Sequence, residues 1–164
     1  MTLETLQLLA LVAATVTTGL VGGLFYGFSI SVMRALRGTD DRTFIEVMQR
    51  INTAILNGWF VLGYIGALLF TGAAVALLGP DRHDALYPAA GALFCYAASM
   101  LITGRFNIPL NKALDAAGPP ARIPDPARVR AAFEPAWVRW NTVRTLLCVG
   151  AVLLLCWALV VHGG

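Results

Sequence analysis

Charged residues are scarce in this chain of 164 residues, where Asp, Glu, Lys and Arg together make up 13%. A soluble domain usually carries about 25%. The charges that exist avoid four long apolar runs, and hydrophobic residues reach 58% of the chain. This composition favours an integral membrane protein with a few spans and one domain over a soluble enzyme.

Metal ligands and thiol pairs are also rare. The two histidines, His83 and His162, lie at the ends of apolar runs, which excludes a membrane-buried bis-histidine haem. No carboxylate lies inside an apolar run, so the Glu-x-x-His pattern of di-iron bundles is missing. Cys95, Cys148 and Cys156 form no CxxC pair and are typical of small buried hydrophobes. We therefore expect no metal and no other cofactor.

The apolar runs predict an all-α protein, an integral membrane four-helix bundle. The predicted spans are approximately 5–33, 52–78, 86–104 and 145–161. Four spans place both termini on one side. Eleven of the twelve basic residues lie in the connections 34–51 and 105–144, so these connections should be cytoplasmic and the termini outside. Because the basic residues flank apolar runs instead of forming a stripe on a soluble module, nucleic acid is not an expected partner.

Glycines and prolines mark further local features. Gly19, Gly23 and Gly27 recur every four residues on one helix face, a spacing that permits close helix packing. That packing occurs either within the chain or in a homo-oligomer. Gly79-Pro80-Asp81 predicts a short turn. Pro109 is expected to end a helix and free nearby carbonyls, and Pro135 to interrupt the helical pattern of 127–140.

Polar side chains concentrate at the predicted cytoplasmic end of the bundle. They are Asn52 and Asn57 of the second span, Arg105, Asn107 and Asn111 after the third, and Trp137, Trp140, Asn141 and Arg144 before the fourth. Asparagine in hydrocarbon is costly without a partner, so these residues indicate a pocket with an apolar floor and a polar rim. The alternative is that the arginines reach lipid phosphates and the tryptophans, including Trp59, form an interfacial belt.

Three segments carry a family resemblance. Residues 48–52 (MQRIN), 107–111 (NIPLN) with Leu114, and 137–144 (WVRWNTVR) resemble the anthrone oxygenase-like family in order and spacing. The family consists of small four-helix membrane proteins, many of them bacterial and without an assigned role. The resemblance implies the bundle itself, a bacterial plasma membrane and a lipid-soluble small molecule as partner in addition to the bilayer.

The resemblance also implies a chemistry, the cofactor-independent oxidation of an anthrone-like aromatic by O₂. Deprotonating the CH₂ beside the anthrone carbonyl would give an electron-rich anion that reacts with O₂ directly. The expected catalytic residues are Asn107, Asn111, Asn141 and Arg144. The expected substrate-binding residues are Asn52, Asn57, Trp59, Arg105, Trp137, Trp140 and Tyr26. No general base is evident, so Tyr26, water or the substrate's own acidity would have to serve.

A non-catalytic role is the second hypothesis. A bundle of this kind could bind lipid or assist the assembly of a partner complex. Replacing Asn111 or Arg144 separates the two, since an enzyme would lose turnover and keep its fold, whereas a structural protein would lose stability or assembly. A transporter is a weaker third hypothesis, because no carboxylate lies within a span for ion coupling.

Overall fold

A computed structural model describes residues 1–79 and 82–163, and within them every regular element is a helix. Four helices are long and apolar enough to cross a membrane, with mean hydropathies of 1.6 to 2.4 over their most apolar stretches. They are α1 (Leu3–Arg37), α3 (Gly58–Leu78), α4 (His83–Ala116) and α5 (Pro126–Gly163). A shorter amphipathic helix, α2 (Asp41–Ala54), joins α1 to α3. The predicted all-α class and the four membrane-length helices are confirmed.

The four long helices form an antiparallel bundle. α1 packs on α3 and α5, and α4 packs on the same two helices. Gly22 of α1 and Ser99 of α4 both meet Cys148 in the middle of α5, the serine hydroxyl at 3.5 Å from the sulfur. Gln7 at the start of α1 donates a 2.8 Å hydrogen bond to the carbonyl of Leu77 at the end of α3. Both termini therefore lie at one end of the bundle, and the assignment of that end to the outside stays a prediction.

The opposite end of the bundle carries a helical cap made of α2, the end of α4, residues 117–125 and the start of α5. A second apolar core fills the cap, with Phe44, Ile45, Met48, Leu114 and Phe133 among its buried members. Asp40 begins α2 by accepting hydrogen bonds from the Thr43 hydroxyl and amide and the Arg42 amide. These bonds, the Thr43 hydroxyl first, hold the pKa of Asp40 below its ordinary value. We call this end of the bundle the cap end.

Arg130 ties the start of α5 to the α1–α2 connection. Its guanidinium donates to the Thr39 carbonyl at 2.8 Å, to Asp41 at 3.1 Å and to Glu134 at 2.7 Å. It also lies 4.5 Å from the centre of the Phe44 ring. The two predicted polar connections are thus part of a folded unit, which fixes the positions of α2 and α5 around the end of the bundle.

Two predictions about proline are wrong. The helix does not end at Pro109, because a π-helical turn at Thr103–Asn107 restarts the hydrogen-bond ladder just before it. Pro109 then occupies the first turn of the next α-helical segment, where a missing N–H is tolerated. Pro135 lies inside the continuous helix α5. The carbonyl it leaves unpaired belongs to Ala131, an exposed residue that water can reach.

Helix boundaries also differ from the predicted spans. Residues 52–54 belong to α2, and the chain breaks at 55–57 before α3 begins. α4 continues past 104 to Ala116, so only residues 117–125 of the predicted connection 105–144 lie outside the long helices. Within the predicted turn at 79–81, Pro80 and Asp81 lie outside the described residues.

Gly19, Gly23 and Gly27 are not the residues at which α1 packs closely within the chain. A Cβ at Gly19, Gly23 or Gly27 would meet nothing within 4 Å, whereas one at Gly22 would lie 3.0 Å from the Cβ of Cys148. Gly22 is therefore the residue that lets α1 approach α5. The homo-oligomer contact through Gly19, Gly23 and Gly27 stays a prediction.

Candidate functional site

A cavity of about 410 Å³ lies between the helices at the cap end. This volume is within the range of small-molecule sites in proteins. Most of its wall is apolar and includes the rings of Phe25, Phe28, Phe60 and Trp137. The polar side chains that line it are Asn52, Tyr64, Thr103, Asn107, Asn111, Lys112, Asp115 and Arg144.

Arg144 is the buried charge of this cavity, with 7% of its surface exposed. Its guanidinium donates to Asn141 Oδ1 at 2.9 and 3.2 Å and to Thr103 Oγ1 at 3.4 Å. It lies over the Phe25 ring at 3.9 Å and near the Trp137 ring at 5.4 Å. Among the described residues, no carboxylate lies within salt-bridge distance of it. A buried cation with only neutral partners favours an anionic ligand in the space it faces.

Asn141 holds the Arg144 guanidinium in place through hydrogen bonds from outside the cavity lining. Its side-chain amide donates to the Phe25 carbonyl at 2.9 Å and to Ser29 Oγ at 2.8 Å, which leaves its oxygen for Arg144. Ser29 lies within a π-helical turn of α1 at Phe28–Val32, and Phe25 lies just before it. Such turns shift the carbonyls out of register and are frequent at functional sites. Asn141 is buried and does not itself line the cavity.

The second π-helical turn, at Thr103–Asn107 of α4, shapes the opposite wall. Thr103 Oγ1 donates to the Ser99 carbonyl at 2.9 Å while accepting from Arg144. Asn107 ends this turn with 1% of its surface exposed, and neither its side-chain nitrogen nor its oxygen has a hydrogen-bond partner among the described residues. An unpaired buried amide costs about 1–3 kcal/mol, so a ligand that pairs with it would gain that much.

Polar residues of α4 continue along the same wall towards the cap. Asn111 accepts a 2.9 Å hydrogen bond from Trp137 Nε1, which orients the indole that walls the cavity. Asp115 accepts from Asn52 Nδ2 of α2 at 3.4 Å. Asn107, Asn111 and Asp115 follow one another at four-residue intervals and therefore share one face of α4. The wall thus carries an amide at its deep end and a carboxylate at its outer end.

Apolar residues surround the opening of the cavity. Leu56, Val61, Ile65 and Ile108 line the cavity and are also exposed on the outer surface of the bundle, between 42% and 74%. Leu56 lies in the break between α2 and α3. These side chains give the cavity an apolar opening at the outer surface of the bundle.

The structure separates the predicted site residues into two groups. Asn52, Asn107, Asn111, Trp137 and Arg144 line the cavity, and Asn141 contacts Arg144. Their chemical roles stay predictions.

The other five predicted site residues lie outside the cavity and do not contact Arg144. Asn57 caps α3 by accepting from the Phe60 amide at 3.1 Å. Trp59 is 85% exposed. Trp140 stacks on Phe106 at 3.7 Å, and Arg105 lies over the same Phe106 ring. Tyr26 lines a separate shallow groove of about 230 Å³ between α1 and α5.

Sequence reasoning missed Tyr64, Phe25 and Asp115. Tyr64 and Phe25 stand in apolar runs, where nothing in the sequence distinguishes them from packing residues. Asp115 could have been found, because it continues the four-residue series of Asn107 and Asn111. It was assigned to a loop since α4 was expected to end at 104.

The family model described as anthrone oxygenase matches residues 53–154, more than half of the chain. The chain belongs to the anthrone oxygenase family. Comparisons with curated proteins and with solved structures gave no match.

The family match covers most of the cavity. In this anthrone oxygenase family member, residues 53–154 include all of α3 and α4 and the part of α5 that carries Trp137, Asn141 and Arg144. Phe25 and Asn52, which complete the wall, come from outside the matched segment. Within the described residues, no three His, Cys, Asp or Glu side chains come together as they would to hold a metal ion.

Proposed function

We propose that this membrane protein oxidises a lipid-soluble, anthrone-like aromatic with O₂ in the cavity at the cap end, without a cofactor. One observation carries the proposal: among the described residues, Arg144 is buried without a carboxylate partner and lines, together with the unpaired amide of Asn107, a mostly apolar cavity. Fixed donors in a water-poor site are the arrangement that stabilises an oxyanion most strongly.

The reaction balances with O₂ as the only oxidant. Loss of a proton from the substrate CH₂ leaves the electron pair delocalised onto the carbonyl oxygen, which Arg144 and Asn107 would hold. The carbanion carbon then transfers electrons to O₂ and bonds to it, giving a peroxide that takes up a proton. Elimination of water breaks the O–O bond and the remaining C–H bond, leaving a second carbonyl. The substrate gains one oxygen atom and loses two hydrogens, and the other oxygen atom becomes water.

The cavity walls fit a flat aromatic ligand. Phe25, Phe28 and Trp137 offer ring faces or edges, and their packing energy adds to apolar burial. Asn141 does not need to touch the substrate, because its bonds to Arg144 hold the guanidinium towards it. The apolar opening at Leu56, Val61 and Ile65 supports entry from the bilayer.

Oxygen uptake tests the proposal. Purified full-length protein in nanodiscs is mixed with anthrone, with and without a metal chelator. We expect uptake well above the protein-free rate, insensitive to chelator, and reduced at least about 100-fold by Arg144→Met. Arg139→Gln is the matched control, since Arg139 is an exposed arginine of the same helix outside the cavity. A wild-type rate equal to the protein-free rate would refute this chemistry.

A non-catalytic lipid-binding role is the second candidate. The apolar, lipid-facing opening of the cavity favours it, because an acyl chain could enter with an anionic headgroup near Arg144. In that case the purified protein would retain stoichiometric lipid, Arg144→Met would lose it, and anthrone would cause no oxygen uptake. Lipid analysis of the same samples used for oxygen uptake therefore separates the two functions.

We also propose that the cap end faces the cytoplasm of a bacterial cell. Eleven of the twelve basic residues lie in the two connections at this end, and Lys and Arg are retained on the cytoplasmic side of membranes.

A further inference from the structure

The proposed reaction needs a proton acceptor that touches the substrate CH₂. Most polar groups of the cavity cannot serve at neutral pH. The side chains of Arg144 and Lys112 offer hydrogen-bond donors and no acceptor, asparagine amides are very weak bases, and the Thr103 hydroxyl is engaged with Arg144 and the Ser99 carbonyl. Among the described residues that line the cavity, Asp115 is the carboxylate.

Asp115 lies at the correct end of the cavity for this task. It lies eight positions after Asn107 on the same face of α4, which corresponds to about 12 Å along the helix. Arg144 and Asn107 occupy the deep end, and Asp115 the outer end. In an anthrone the carbonyl and the CH₂ are at opposite corners of the central ring. An oxyanion site and a base must therefore contact opposite ends of the ligand, and Arg144 of α5 and Asp115 of α4 both line this cavity.

Asn52 gives the carboxylate a defined orientation. Its Nδ2 donates to Asp115 Oδ1 at 3.4 Å from a position that is 8% exposed. Asp115 Oδ2 accepts no hydrogen bond from the described residues and is available to a ligand. Asp115 is also exposed on its outer side, so a proton it takes up has a path to water.

We propose that Asp115 is the general base of this site and that Asn52 is its positioning residue, an inference that rests on the proposed function. The substrate C–H bond breaks, its proton bonds to Asp115 Oδ2, and its electron pair moves to the carbonyl oxygen held by Arg144 and Asn107. The peroxide formed after O₂ addition takes the proton back. A carboxylate base opposite an oxyanion site is an established way to remove a proton activated by a carbonyl.

Hydrogen–deuterium exchange without oxygen isolates this step. Anthrone and full-length protein are mixed in D₂O under argon, and NMR follows loss of the CH₂ signal. We expect wild-type exchange above the protein-free rate and a decrease of about 100-fold or more in Asp115→Asn. Glu46→Gln, an exposed carboxylate of α2 outside the cavity, should exchange like the wild type.

A second measurement bypasses the base. Anthrone that is deprotonated beforehand is mixed rapidly with air-saturated protein, so that only the oxygen step remains. Asp115→Asn should then form quinone at the wild-type rate, while Arg144→Met stays slow. Exchange by Asp115→Asn at the wild-type rate would overturn the inference even if oxygen uptake is confirmed. Absence of wild-type oxygen uptake would instead refute the proposed function.

Asn52 is tested by separating binding from turnover. Asn52→Ala should lower kcat about 10-fold and leave KM unchanged, because the carboxylate loses its orientation and the ring contacts remain. Asn52→Gln, which retains an amide donor, should recover part of kcat. A change in KM alone, or in thermal stability without a change in kcat, would show that Asn52 has only a structural role.

Discussion

Arg144 shows how a single residue can favour function over stability. Its guanidinium is removed from water, and its partners are neutral: Asn141, Thr103 and two aromatic rings. Neutral hydrogen bonds do not repay the full cost of burying a cation. Such a residue is more readily explained by an anion that is present during part of a reaction cycle than by packing.

The first prediction follows from this cost. Arg144→Met removes the buried charge and keeps much of the side-chain volume, but it also leaves the buried Asn141 Oδ1 unpaired, so the two effects oppose each other and the unfolding free energy should change by less than about 2 kcal/mol. Turnover should nevertheless fall at least about 100-fold. Thermal unfolding in detergent and oxygen uptake on the same preparation measure both. A clear loss of stability with activity retained would assign Arg144 to the fold alone.

Asn107 leads to a second prediction at the residue scale. Its amide is buried without partners, so Asn107→Leu should not destabilise the protein and should raise the unfolding free energy by about 1 kcal/mol. Turnover of anthrone should decrease about 10-fold or more, because the oxyanion loses a donor. Ser99→Ala is a useful comparison, since Ser99 is buried in the same helix but does not line the cavity.

Residue type decided which parts of the site the sequence could predict. Asn107, Asn111 and Arg144 stand out because polar residues in a membrane helix need a reason to be there. Asn57 and Trp59 looked equivalent to them, but the break at 55–57 turns both away from the cavity. Phe25 and Tyr64 could not be recognised, because aromatic residues in an apolar run are ordinary core residues until their neighbours are known.

At the element scale, the two π-helical turns position the site. Each inserts one extra residue into a long helix at the depth of Arg144, one at Phe28–Val32 and one at Thr103–Asn107. An inserted residue rotates everything after it by about 100° relative to an unbroken α-helix. Hydropathy cannot predict this, because the run remains apolar whether the helix is regular or not. The break before α3 escaped prediction for the same reason.

The third prediction concerns a variant that lacks one of these turns. Deletion of Gly104, an exposed residue with open space around it, would let α4 continue as a regular α-helix. Asn107, Asn111 and Asp115 would then rotate away from Arg144, so activity should be lost while helical content by circular dichroism is retained. Gly104→Ala, which keeps the residue count, should be active. Full activity of the deletion variant would contradict a role for the turn.

The contact between α1 and α5 supplies a fourth prediction. Gly22→Ala places a methyl group 3.0 Å from the Cβ of Cys148, so the helices must separate, at a cost of about 1–3 kcal/mol. Gly23→Ala adds the same methyl group where nothing lies within 4 Å and should be neutral or slightly stabilising. Thermal unfolding of the two variants in parallel decides whether Gly22 is the packing residue. Equal stabilities would contradict the close approach.

For the whole molecule, the sequence was most informative about the number and type of helices and least informative about how the segments between them fold. Length and hydropathy of the runs are enough to predict four helices, since lipid allows few other solutions for the backbone. The cap was not foreseen as a folded unit, because its core forms from Phe44, Met48 and Phe133, which lie in segments that look like connections.

The fifth prediction concerns topology. In a background without Cys95, Cys148 and Cys156, a cysteine replacing Ala121 in the cap should react with a membrane-impermeant maleimide only after the cells are opened. A cysteine replacing His83, at the other end of the bundle, should react in intact cells. The opposite pattern would place the cap end outside.

Oxygen labelling with the wild type and Arg144→Met side by side tests the central claim most directly. Each protein is given anthrone and ¹⁸O₂ in the presence of a chelator, and mass spectrometry follows the labelled quinone over time. We predict that the wild type forms quinone with one ¹⁸O atom in the new carbonyl, far faster than buffer, and that Arg144→Met forms it at nearly the buffer rate. Equal rates for the wild type, Arg144→Met and buffer would contradict the account.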